Sequence, residues 1–97
     1  MRKILIGIDI GTSACKVAAF YPDGEVLAKS VQYYKVYYPA QGHVEQNPME
    51  WWEAVSTAIN DTINKSGVDK KDIAGIGIDG QSWSAIPVDK DGKILHN

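Results

Sequence analysis

The stretch from Ile4 to Lys16, ILIGIDIGTSACK, constrains the fold of this chain more than any other. It opens on a nearly continuous apolar run (Ile4, Leu5, Ile6, Gly7, Ile8) and stops on one carboxylate, Asp9. It then supplies Gly11, Thr12 and Ser13 before a second apolar run begins at Val17. Periodicity alone allows such a run to be a strand buried on both faces or a piece of buried helix. Isoleucine richness and the nearby glycines decide for a strand. The expectation is a strand, a small polar turn at the edge of a core, and a returning strand.

The composition of the turn suits an anion. Gly11 lets the backbone approach a ligand closely, and successive N–H groups in a tight turn can form a concave nest for phosphate oxygens. Thr12 and Ser13 add hydroxyl donors. Each hydrogen bond to a charged group contributes roughly 1.5–3 kcal/mol net, so a few of them would hold a phosphoryl group. Asp9 would repel phosphate unless a cation lay between them. The task that fits it is holding magnesium, directly or through water, because that ion keeps several waters and uses few protein carboxylates. The same residues also suit a plain hairpin turn with no ligand, and taken alone the turn leaves both readings open.

Ninety-seven residues make one small domain, able to bury ~65% of the surface its unfolded chain exposes. A formal charge of −2 gives no electrostatic case for a nucleic-acid or anionic-membrane partner. Met1, Arg2 and Lys3 resemble a signal-peptide start, but Asp9 cuts the apolar run before an h-region or a membrane span is complete. A cytoplasmic location is expected by default. Cys15, the only cysteine, cannot form an intramolecular disulfide, and its place at the start of an apolar strand favours a buried thiol over a nucleophile. His43 and His96 lie far apart without companion ligands, which argues against a zinc site.

Further along, Pro22-Asp23-Gly24-Glu25 is a strong hairpin turn, with proline presetting φ and glycine able to take the left-handed position. The run from Val26 to Tyr38 carries Lys29 and Lys35, as an edge strand should, so the first three strands are expected to form an antiparallel meander. Tyr33, Tyr34, Tyr37 and Tyr38 are read as packing residues of a half-buried strand. The segment 39–46 lacks a period and reads as a crossing loop. A helix then starts clearly: Asn47 is the N-cap, Pro48 the first helical residue, and Glu50 completes a capping box. Trp52, Val55, Ile59 and Ile63 form its apolar stripe, widened by Trp51, Ala58 and Thr62, with both tryptophans assigned to the core. Gly67 ends it. Asn60-Asp61-Thr62 matches a glycosylation sequon by accident, inside a helix.

A second apolar strand, Ile73 to Ile78, again stops on a carboxylate, Asp79. A helix between two buried strands is the crossover that a parallel pair requires, so the carboxyl ends of the first and fourth strands are expected side by side. Ligands of open sheets bind beyond such ends. Asp9 and Asp79, with Gly80, Gln81, Ser82 and Trp83, would then face one cleft. Ala85 to Val88 and Ile94-Leu95, joined by a turn at Lys90-Asp91-Gly92, read as a last hairpin.

Three motifs in order, GIDIGTSACKVAAF with a following PDGEV, GHVEQNPMEWWEA, and IAGIGIDGQSWSAIPVDKDGKIL, resemble the amino-terminal part of the FGGY carbohydrate kinases, the xylulokinases most of all. The resemblance covers essentially the whole chain, residues 1–97. It implies an α/β fold, the actin-like (ribonuclease H-like) ATPase domain, with an antiparallel three-strand meander and a parallel fourth strand joined by a crossover helix. It further implies ATP as co-substrate with Mg2+, and a sugar such as a ketopentose. Asp9 would position the metal and the transferring phosphate, and Gly11, Thr12 and Ser13 would form the first phosphate loop. Asp79, Gln81, Ser82 and Trp83 would line the sugar pocket. Here the chain reads Gln-Ser-Trp where xylulokinases typically read Gln-Met-His, so an apolar face replaces hydrogen-bonding nitrogens.

The resemblance also identifies what this stretch lacks. The catalytic base of such kinases is an aspartate in a later segment, and the adenosine pocket belongs largely to a second domain. The chain is therefore expected to be an amino-terminal fragment without substantial activity of its own. Its partners would be sugar, ATP and the remainder of the kinase chain, with a homodimer of the parent as a further expectation. Two other classes compete. In a ribonuclease H-like nuclease, Asp9 and Asp79 would share two metals with further carboxylates, for which Glu45 or Glu50 are the candidates. A non-catalytic actin-like interaction module would assemble through an edge strand.

Overall fold

The structure is a computed structural model that describes residues 2–82 and 84–97. The apolar runs form β1 (Ile4–Ile10), β2 (Ala14–Phe20), β3 (Val26–Tyr33) and β4 (Ile73–Gly80), and the capped segment forms α1 (Pro48–Ser66). They make one mixed sheet in the order β3-β2-β1-β4, with β1 antiparallel to β2, β2 antiparallel to β3, and β1 parallel to β4. This is the expected meander with a crossover to a parallel fourth strand.

Strand alternation divides the sheet into two unlike faces. The register Ile6↔Ala19, Ile8↔Val17 and Ile10↔Cys15 places apolar side chains on one face, which Ala54, Val55 and Ala58 of α1 close. Thr62 is fully buried there and donates its hydroxyl to the Val17 carbonyl at 3.4 Å. The other face carries Gly7↔Ala18 and Asp9↔Lys16 and has no helix over it among the described residues. Helix α1 is fixed at both ends. The Asn47 side chain accepts from the Met49 amide at 3.0 Å, and Gly67, at φ +69°, closes the last turn on the Ile63 carbonyl.

Several local expectations are corrected. Trp52 is 65% exposed, whereas Ala54, Val55, Ala58 and Thr62 form the buried stripe. Small residues at 54 and 58 let the helix come close to the sheet, and that rotation carries the Trp52 indole to the far side. Trp51 remains half-buried against Tyr34, with ring centroids 6.5 Å apart. Tyr33 and Tyr38 are exposed, and Tyr37 serves as a donor to Glu50, so only Tyr34 of the four packs on the core. β3 ends at Tyr33; the rest of that tyrosine-rich run contributes the bridge Tyr37↔Glu45. Ile76 and Ile78 are 61% and 68% exposed, because α1 packs on β2 and β3 and barely reaches β1. The expected last hairpin is present as the antiparallel bridge Val88↔Ile94, with the Leu95 amide donating to the Pro87 carbonyl at 2.9 Å. Among the described residues no helix is long and apolar enough to cross a membrane.

The rotated helix face has a direct consequence for stability. Trp52→Ala is expected to change unfolding free energy by less than ~0.5 kcal/mol, as for exposed positions generally. Ala58→Leu, which forces methylenes into the closed helix–sheet contact, should destabilise by about 1–3 kcal/mol. Denaturant titration of both variants decides between this face and one centred on Trp52.

Candidate functional site

The parallel pairing of β1 with β4 builds the site. Its register, Asp9↔Asp79 and Ile10↔Gly80, continues past the strands, with the Gln81 amide donating to the Ile10 carbonyl at 2.9 Å. Parallel partners in register share a face, so both carboxylates project from the open side of the sheet. The pairing raises the Asp79 pKa above the usual carboxylate range, first through a hydrogen bond with Asp9 and then through that residue's charge. Stability from the shared proton is therefore present at low pH and is lost as pH rises through the Asp79 pKa. Above it two anions stand side by side, an arrangement that favours a cation. Lys16 faces Asp9 across β2, and Lys29 lies on the same face. Together with both aspartates, Gly7 and Ala18 they line an open hollow of about 720 Å³.

The turn after β1 is held from several directions. Gly11 donates to the Ala14 carbonyl at 2.9 Å, and a Cβ at Gly11 would stand 3.1 Å from that same oxygen, tighter than ordinary contact. The Gly11 N–H is thus committed within the turn, leaving Thr12 and Ser13, both exposed, as the donors that a ligand could reach. Tyr34, just past β3, donates its hydroxyl to the Gly11 carbonyl and its amide to the Ser13 carbonyl at 3.2 Å. Burial, then the nearby Cys15 and Asp9 charges, push the Tyr34 hydroxyl up to about 12. Burial, followed by Asp9, also raises the Cys15 thiol, and Cys15 is fully enclosed, as the sequence suggested.

On the α1 side of the strand ends lies a second cavity, of about 260 Å³, lined by Thr12, Gln46, Pro48, Trp51, Gln81 and Ser84 among others. Gln46 donates to the Thr12 carbonyl at 2.5 Å and accepts from the Gln81 carboxamide at 2.6 Å. The Trp51 indole N–H is buried without a hydrogen-bond partner among the described residues. Of the residues singled out from sequence, Asp9 and Asp79 come together on the open face, while Thr12 and Gln81 meet through Gln46. Ser82 is exposed. Trp83 lies outside the described residues. Gln46 and Tyr34 went unnoticed as site residues, since an amide in an aperiodic loop and a tyrosine in a tyrosine-rich run carry no distinguishing pattern.

Residues 4–97 match the FGGY family of carbohydrate kinases, N-terminal domain. The chain belongs to the FGGY family. The xylulose kinase of Bacillus subtilis (strain 168) is 36% identical over 95 residues, covering 98% of this chain and 19% of that protein. The glycerol kinase of Aquifex aeolicus (strain VF5) is 39% identical over 96 residues, with the same coverage of 98% and 19%. Among solved structures, gluconate kinase from Lactobacillus acidophilus superposes with a TM-score of 0.90 at 31% identity, over all of this chain and 19% of that one. The fold is accordingly the actin-like ATPase fold, and the chain spans about a fifth of the length of the curated relatives it matches.

In this FGGY domain the Tyr34 hydroxyl couples the core to the turn, and its titration is measurable. The ultraviolet signal of phenolate formation should contain one tyrosine titrating at about 12, absent in Tyr34→Phe. Because the folded pKa is raised, the stabilisation is fully present below the ordinary tyrosine value near 10 and is lost as pH rises through about 12.

Proposed function

We propose that this domain forms the phosphate-side and sugar-side walls of an ATP-dependent kinase that transfers the γ-phosphoryl group to a hydroxyl of a small sugar or polyol. A ketopentose such as xylulose is the preferred substrate class, supported by the xylulose kinase among its relatives. The single observation that carries the reading is the in-register pair Asp9↔Asp79 at adjacent parallel strand ends, next to a turn that presents Thr12 and Ser13. Glycerol and gluconate, named for other relatives, are the alternatives within the same class.

The donor set fits magnesium. Both groups are hard carboxylate oxygens and both are exposed. An ion that keeps most of its waters and takes one or two carboxylates suits such a pair. Asp9 would hold it, with Asp79 beside it, and the ion would neutralise charge on the transferring phosphate. The chain's own residues do the rest. The Thr12 and Ser13 donors hold phosphate oxygens, and Lys16 offsets negative charge on the same face. Gln81 and Ser82, joined by Trp83, orient the sugar. The match of residues 4–97 to the FGGY carbohydrate kinases favours this reading over a two-metal nuclease.

A general base for the hydroxyl proton and an adenosine pocket are assigned to the remainder of the kinase chain. The 97-residue chain alone should release no ADP in a sugar-dependent coupled assay. In the complete kinase, Asp9→Asn should lower kcat by about 100-fold or more, the scale of losing one electrostatic contact to a reacting group, with sugar binding retained. Unchanged kcat in that variant would contradict the role given to Asp9.

A further inference from the structure

Gln46 joins two parts of the site that are 34 and 35 residues away from it in sequence. Its Nε2 donates to the Thr12 carbonyl in the turn, and its Oε1 accepts from Gln81 just past β4. The polarity of this relay is fixed at one end. A backbone carbonyl can only accept, so Gln46 must turn its nitrogen toward Thr12 and its oxygen toward Gln81. Gln81 must then turn its nitrogen toward Gln46, which leaves its own Oε1 as an acceptor. Neither carboxamide is free to flip without setting two acceptors against each other.

We propose that Gln46 is a positioning residue that locks Gln81 as a hydrogen-bond acceptor for a substrate hydroxyl and ties that hydroxyl's position to the phosphate turn. The proposal rests on the kinase reading above and adds to it a specificity. The position read by Gln81 takes a group that donates, so a hydroxyl is accepted, and fluorine at the same carbon is refused because two acceptors would meet. Gln46 touches neither reacting atom. It sets the orientation of Gln81 and, through Thr12, the backbone of the turn. The helix packing does not involve it: Gln46 precedes the Asn47 cap, and the buried stripe of α1 lies further along. Its replacement therefore leaves the core intact.

Two variants separate the arms of the relay. Gln46→Glu keeps an oxygen for Gln81 but sets a carboxylate against the Thr12 carbonyl. In the complete kinase, kcat should fall about tenfold while KM for the sugar stays within about twofold. Gln46→Met removes both arms, and KM for the sugar should also rise about tenfold, with the discrimination between hydroxyl and fluoro analogues lost. A role in folding alone would not produce that split. Independently of activity, the Gln81 carboxamide protons in the 97-residue chain should exchange slowly by NMR and become fast in Gln46→Met. Gln81 protons unaltered by Gln46→Met, or both variants matching the parent kinetics, would overturn the proposal. If the complete kinase phosphorylates no sugar, the kinase reading fails, and the NMR comparison by itself still upholds or overturns the relay.

Discussion

Everything at the candidate site depends on the parallel hydrogen-bonded pairing of β1 and β4. Two strands that run the same way must be joined by a crossover, and α1 provides it by burying Ala54, Val55 and Ala58 against the apolar face of the sheet, over β2 and β3. Once the register is set at Ile8↔Ile78, Asp9 and Asp79 have to stand side by side, since strand partners share a face. A slip of one residue would send one carboxylate to the helix face and dissolve the pair. The core therefore positions the chemistry without contacting it.

The local electrostatics follow from that pairing. A hydrogen bond with Asp9, and then that residue's charge, raise the Asp79 pKa, and a concentration of negative charge remains once both groups ionise. Lys16 and Lys29 line the same open hollow, and a divalent cation would offset the charge. The neighbouring turn is built to stay in place. Tyr34 and Gln46 hold its Gly11 and Thr12 carbonyls, and the Gly11 amide is closed on Ala14. The donors of the turn that a ligand could reach are thereby narrowed to Thr12 and Ser13, fewer than a reading of the turn as an open nest suggests.

Much of this was legible in the sequence because it rests on strong local signals. The Asn47-Pro48-Glu50 start, the Gly67 stop, the Pro22-Asp23-Gly24 turn and two apolar runs each ending in aspartate are all short-range and physically unambiguous. What misled was anything decided by packing between elements. Trp52 lies within the apolar stripe by spacing, but the buried face is chosen by where alanines allow close approach. Ile76 and Ile78 read as buried because they are isoleucines, while the helix that would cover them sits over β2 and β3. Gln46 lies within the GHVEQNPMEWWEA motif, but nothing there marks it as a bridge, since a bridging amide is defined by two distant partners and not by its own neighbourhood.

We propose that the ends of β1 and β4 form one cation-binding, phosphate-facing site. Paramagnetic broadening by Mn2+, a stand-in for magnesium, tests it most directly on the backbone amides of the chain. Broadening is expected to be confined to the neighbourhoods of Asp9 to Ser13 and Asp79 to Gln81 and to disappear in Asp9→Asn. Broadening centred elsewhere, or at only one of the two strand ends, would contradict it.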